Sequence, residues 1–157
     1  MHIGQIEENV QTVAANISRD TFIYDLLVAY GLPKASITRL QQGGYNLSKS
    51  VGEILWKKKL YFRAVYDEDL HGFIDTRRKD TNLLKHSPRF FVVTDFTTLL
   101  AYDSKTDDTL DVALPDLPRH FAEAGDRNIQ ASARPQFSKV LAYIRNYAVA
   151  VFWHRTR

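Results

Sequence analysis

Two runs of cations are the groups in this chain whose type and spacing could do chemistry: Lys57-Lys58-Lys59 and Arg77-Arg78-Lys79. Three adjacent positive charges can neutralise the backbone phosphates of a nucleic acid, and the stretch from Arg134 to Arg157 adds further basic residues with few acids. Each run has a plainer reading as a solvated face. Trp56, directly before the lysines, has two uses as well, stacking on a base or burial against a helix. Other catalytic candidates are sparse. The five histidines, His2, His71, His86, His120 and His154, stand apart and show no metal-ligand spacing. There is no phosphate loop, no GxSxG nucleophile elbow and no HExxH pair. Gly43-Gly44 precedes a strand instead of opening a helix, so it reads as a turn and not as a phosphate cradle. The chain has no cysteine, which removes disulfides and thiolate metal sites and fits a reducing compartment.

The elements that must carry these residues can be read from pattern. In the middle of the chain, Gly52 to Val65 and Pro88 to Asp103 are rich in Val, Ile, Phe, Tyr and Leu and bounded by Gly, Pro and Asp, which predicts β-structure. Phe90 to Val93 is a continuous apolar run, as in a strand covered on both faces. Asp95 and Thr97 supply turn chemistry, Leu99, Leu100 and Tyr102 restart a strand, and Thr109 to Leu114 forms a third short run. A sheet with a buried central strand needs helices on its faces. Ile3, Ile6, Val10, Val13, Ala14 and Ile17 recur at helical steps. A second helix is predicted over Thr21 to Tyr30, capped by Ser18 or Asp20 and ended by Gly31, and a third from Lys34 to Gln42 after Pro33. Asp67 or Asp69 caps a short helix through Ile74, and another is predicted from Asp116 to Phe121. Gln136 to Trp153 reads either as a terminal helix or as a strand near Tyr147 to Trp153.

A chain of 157 residues fits one domain with a real core. With 21 Lys and Arg against 18 Asp and Glu, the net charge of +3 is compatible with nucleic acid and with an ordinary soluble domain alike. No apolar run approaches the roughly 18 residues of a membrane span, and the N-terminus lacks a secretory layout, so a soluble, cytoplasmic protein without membrane contact is expected.

The order TFIYDLLVAYGLPKASITRL, GEILWKKKLYF, DLHGFID, PRFFVVTDFTTLLAYD and TLDVALPDLPRHF, covering residues 20 to 122, resembles the N-terminal region of MmeI-like (type IIL) restriction–modification polypeptides and related adenine-specific DNA methyltransferases. The resemblance implies an α/β fold with a central mixed sheet and a restriction-endonuclase-like, PD-(D/E)xK-type core over residues 1–123, followed by a divergent tail at 124–157. It implies double-stranded DNA as partner, with a DNA methyltransferase or specificity subunit beside it, in a defence system. The methyltransferase motifs themselves, the glycine-rich cofactor loop and the catalytic Asn/Asp-Pro-Pro-Tyr/Phe, are absent from the sequence, so a relic, a truncation or a separately encoded module is expected.

Such a nuclease needs one acid at a strand end and an acid-x-Lys on the next strand. The two carboxylates hold Mg²⁺, which activates the attacking water, and the lysine stabilises charge. The resemblance places this pattern on Ile54 to Lys59, taken as one strand: Lys59 fits the lysine, but Lys57 stands where the acid belongs, and Glu53 lies at the strand's beginning. A lysine repels Mg²⁺. The expectation is a DNA-binding, nuclease-like accessory module that has lost cleavage and needs no cofactor, with Lys57, Lys58, Lys59, Arg77, Arg78 and Lys79 on DNA. Lys57 and Lys59 would share one face of their strand, either on phosphates or guarding a solvated edge. Alternatives are a Mg²⁺-dependent endonuclease using Glu53 as catalytic and metal-binding acid with Lys59 and a nearby acid such as Asp20 or Asp25, and an interaction module that docks on a methyltransferase.

Overall fold

The computed structural model describes residues 3–105, 107 and 109–117. They fall into two compact units, one holding the described residues of 3–38 and 115–117, the other 39–114. In the first, α1 (Ile3–Ala15) packs on α2 (Phe22–Ala29). The sequence of α2 is almost wholly apolar and buries Phe22, Ile23, Leu26, Leu27 and Ala29. Its N-cap is Thr21, not Ser18 or Asp20, and the Thr21 hydroxyl donates to the Asp25 carboxylate (2.9 Å) instead of to the backbone. Gly31, at φ 100°, ends the helix in the left-handed conformation that glycine adopts without a Cβ penalty. Pro33 then accepts from the N–H groups of Ser36 and Ile37 and opens α3 (Lys34–Gln41).

The second unit is built on a five-stranded mixed sheet in the order β1 (Glu53–Trp56), β2 (Leu60–Ala64), β3 (Phe90–Thr94), β4 (Thr98–Asp103) and β5 (Thr109–Ala113). β2 and β3 are parallel, and every other neighbouring pair is antiparallel. A parallel pair requires a crossover, and here α4 (Leu70–Arg78) and α5 (Thr81–Leu84) supply it. Asp69 starts α4 by accepting from the N–H groups of His71 and Gly72, and Asp80 starts α5 by accepting from that of Asn82.

Alternation along the strands sorts the core. Leu55, Tyr61, Phe91, Val93, Leu100 and Tyr102 line one face with Leu70 and Ile74 of α4 and Leu83 of α5. Ile54, Phe62, Phe90, Val92, Leu99, Leu110 and Val112 are buried on the opposite face. β3 is buried at all five positions, as the apolar run predicts. α4 extends one turn beyond the expected end at Ile74, and α5 was not expected, its short TNLL segment giving no periodic signal. After β5 the chain makes a 3-10 turn over Leu114–Asp116, and the helix expected to Phe121 lies mostly outside the described residues, as does the tail from 124. Among the described residues no helix is long and apolar enough to cross a membrane.

Candidate functional site

The lysine run does not lie on a strand. β1 ends at Trp56, and Lys57, Lys58 and Lys59 form the turn into β2, so Lys57 and Lys59 do not share a strand face. The cause is local. Lys58 takes φ 65°, its N–H donates to the His86 carbonyl (3.0 Å), and the Lys59 N–H reaches back to the Trp56 carbonyl (3.0 Å), which reverses the chain. Lys57 and Lys58 are exposed, while the Lys59 ammonium lies 4.3 Å from the centre of the Trp56 ring. Trp56 is buried and stacked on Tyr45 (5.7 Å), so burial, and not base stacking, is its role.

At the other end of β1 the structure assembles a polar network. Glu53 stands opposite Arg63 in the β1–β2 register. Its Oε2 accepts from the Tyr61 hydroxyl (2.7 Å) and from Arg63 Nη1 (3.1 Å), and its Oε1 accepts from the Ser48 hydroxyl (2.7 Å). The loop that brings Ser48 here is held by Asn46, whose Oδ1 accepts from the N–H groups of Ser48 and Leu55 and whose Nδ2 donates to the Glu53 carbonyl. Gly52, at φ 77°, makes the turn that returns the chain into β1. Burial pushes the Glu53 carboxyl up, but the hydrogen bonds from Ser48, Tyr61 and Arg63, with the Arg63 charge, outweigh it and hold the group below its ordinary value. Burial, with the Glu53 hydrogen bond and charge, pushes the Tyr61 hydroxyl well up.

The second cationic run is split in space. Arg77 lies over the Phe73 ring (4.8 Å), 3.5 Å from Asp80, and its charge acts on the Tyr61 hydroxyl. Its Nε is buried with no hydrogen-bond partner among the described residues. Arg78 points to a different neighbourhood, over the Tyr102 ring (3.7 Å) and 3.3 Å from Asp75, while Lys79 is the C-cap of α4. Of the expected site residues, the fold therefore places Glu53 at the start of β1, Lys57, Lys58 and Lys59 at the hairpin turn, and Arg77 and Arg78 against different neighbours on α4. Asp20 and Asp25 belong to the N-terminal unit, with Asp25 bonded to Thr21. Asp95 is a turn former: its Oδ1 accepts from the N–H groups of Thr98 and Thr97, and these bonds hold its carboxyl down.

The donor set around Glu53 does not fit Mg²⁺. That ion takes oxygen ligands and is usually anchored by more than one carboxylate or phosphate. Here one carboxylate meets two hydroxyls and a guanidinium, and no group of three His, Cys, Asp or Glu side chains among the described residues could hold a metal. Sequence reasoning passed over Ser48, Tyr61 and Arg63. The available signal was Arg63 itself, a charge inside the otherwise apolar LYFRAV stretch.

Comparison with known proteins agrees with the order of motifs. The family model described as MmeI, N-terminal domain, matches residues 1–143. DNA methyltransferase A of Bacillus subtilis (strain 168) is 34% identical over 121 residues, which are 77% of this chain and 14% of that protein, so the chain spans a small part of its relative's length. No solved structure matches. With a family match over most of its length, the chain belongs to the family of MmeI N-terminal domains.

Proposed function

We propose that this chain is a nuclease-like module that contacts double-stranded DNA on behalf of a restriction–modification methyltransferase, and that it has lost cleavage. The observation that carries this reading is the Glu53 network: the carboxylate expected to bind metal is bonded to Ser48, Tyr61 and Arg63 and faces a positive charge instead of a second acid among the described residues. A hairpin, a helical crossover and a parallel third strand are compatible with a restriction-endonuclease-like core. In such a core the acid-x-Lys follows three apolar residues on the strand just ahead of Phe90, and that strand is β2. Leu60, Tyr61 and Phe62 supply the apolar run, so Arg63 takes the acid's place and Val65 the lysine's. This assignment replaces Lys57 and Lys59 and leads to the same outcome, a site without cleavage and without need of Mg²⁺. Similarity to DNA methyltransferase A of B. subtilis supports the methyltransferase association.

The test is incubation with supercoiled and linear DNA, in Mg²⁺ and in EDTA, scored for nicking and binding. Binding without nicking is expected, and metal-dependent nicking would overturn the loss of cleavage. Replacing Lys57 and Lys58 by Ala should lower the salt dependence of binding by about one to two units in slope if the hairpin turn touches phosphates. A second reading, docking on a methyltransferase or specificity subunit without DNA contact, is favoured by Leu47 and the 99% exposed Val51 in the loop before β1. Association with such a partner that does not respond to salt, together with absent DNA binding, would select it.

A further inference from the structure

We infer that the open edge of β5 takes an extended, basic segment of a partner polypeptide as a sixth strand, and that the cleft between β5 and α4 receives its lysine or arginine side chain. This surface is independent of DNA contact. The two edges of the sheet differ. At β1 the outward backbone groups of Glu53 and Leu55 are all bonded: the Glu53 N–H donates to the Ser50 carbonyl, the Leu55 carbonyl accepts from the Leu47 N–H, and the Asn46 side chain takes the other two. At β5 the Leu114 N–H donates to the Thr97 carbonyl (2.9 Å), which fixes the phase of the ladder with β4. Antiparallel pairing alternates, so Leu110 and Val112 bond β4 while the N–H and C=O groups of Thr109, Asp111 and Ala113 point away from it. Among the described residues none of these three has a further backbone partner. Such a row is a template for another strand, and edges are commonly blunted by lysine, proline or a bulge. Thr109–Ala113 contains neither residue and pairs with β4 without a break.

The cleft beside that edge says what the added strand carries. β5 and α4 share a hollow of about 110 Å³, whose lining combines the buried Leu100 and Tyr102 with the charged Asp75, Arg78 and Asp111. That is well below the roughly 300 Å³ of a small-molecule site and suits one side chain. Asp111 stands opposite Leu100, which packs in the core cluster with Ile74 of α4, so Asp111 is on the face that α4 covers. A residue added opposite Asp111 would point to that same face, within reach of the cleft if its side chain is long. Asp75 accepts from Arg78 (3.3 Å), Asp111 meets His71 (3.0 Å), and Asp107 accepts from the Tyr102 hydroxyl. Three carboxylates thus meet one guanidinium and one imidazole, an excess of negative charge in either state of the ring. This balance repels phosphate and favours a basic side chain, its aliphatic stem on the apolar lining and its charge at the rim. The two residues beside it in the added strand would flank the buried Leu110 and Val112 on the opposite face and should be apolar.

The test titrates the whole chain with blocked seven-residue peptides, valine and threonine alternating around a central lysine or a central glutamate, and follows the backbone amide resonances by NMR up to millimolar peptide. With the lysine peptide the amides of Thr109, Asp111 and Ala113 should shift, while those of Leu110 and Val112, already bonded to β4, should move less. The glutamate peptide should bind roughly threefold more weakly, and Asp111→Lys, at a side chain that is 55% exposed, should reverse the preference. Equal binding of the two peptides would overturn the basic partner. Shifts of the same amides with a DNA duplex would overturn the polypeptide, and shifts on raising the protein concentration alone would assign the edge to a second copy. Silence at the three amides with both peptides would overturn the open edge itself.

Discussion

Two arginine–carboxylate pairs are built on the same sheet, and they are organised in opposite ways. Arg89 grips Asp103 with two nitrogens on two oxygens, Nε to Oδ1 at 3.1 Å and Nη2 to Oδ2 at 3.0 Å. Asp103 is fully buried, Arg89 is 11% exposed and lies over the Phe90 ring, and Asp103 also accepts from the Lys105 N–H. Arg63 touches Glu53 through one nitrogen and is three times as exposed. The first arrangement commits both partners to each other and locks the ends of β3 and β4 together. The second leaves the arginine partly open to solvent. Residue type alone would class the two pairs together, and only geometry and burial separate a closed clasp from a partly open pair.

Breaking the clasp should have the largest effect. Arg89→Ala leaves a buried carboxylate without its counter-ion and should cost about 3–5 kcal/mol in urea unfolding. A loss under about 1 kcal/mol would erase the contrast between the pairs. Arg63→Ala should cost less, about 1–3 kcal/mol, because Glu53 keeps Ser48 and Tyr61 as donors and remains in reach of water. Third is acidity. The folded-state carboxyl of Glu53 sits below its ordinary value of 4.5, so its contribution to stability is present above that pH and is lost as the pH falls through the folded value. Glu53→Gln should therefore remove part of the stability lost as the pH falls below about 4.5, seen by comparing unfolding curves of the two proteins at each pH. The smallest effect belongs to a control away from both pairs. Lys58→Gly relieves a left-handed residue at the hairpin turn and should stabilise by up to about 1 kcal/mol, with neither ion pair altered.

What was legible in the sequence follows from how local each cause is. Phe90 to Val93 and the Asp95 turn were readable because an apolar run and a side-chain-to-backbone bond two and three residues away are both written within a short window. The helix boundaries of α2 and α3 came within a residue for the same reason, through Gly31 and Pro33. The hairpin at Lys57 to Lys59 was missed because it lacks the usual turn residues and reverses on a lysine held in the left-handed region by tertiary contact with His86. Glu53 was found as a residue but not as a site. Its partners come from Ser48 in a loop and from Tyr61 and Arg63 on the next strand, and only the register of that hairpin shows that Arg63 faces it. Asp103 read as an ordinary strand end, since its Arg89 partner is adjacent only once β3 and β4 are paired.

The single parallel pairing among the described strands also bears on how the unit assembles in time. β3, β4 and β5 follow one another through short reversals, and β1 joins β2 in the same manner, so both pieces can form from contacts close along the chain. β2 and β3 can meet only after the whole segment containing α4 and α5 has been looped back, a closure with a larger entropic barrier. The β2–β3 seam is thus the natural late step of folding, and Arg63, which stands on that seam beside Val93, acquires its final surroundings when the two halves join.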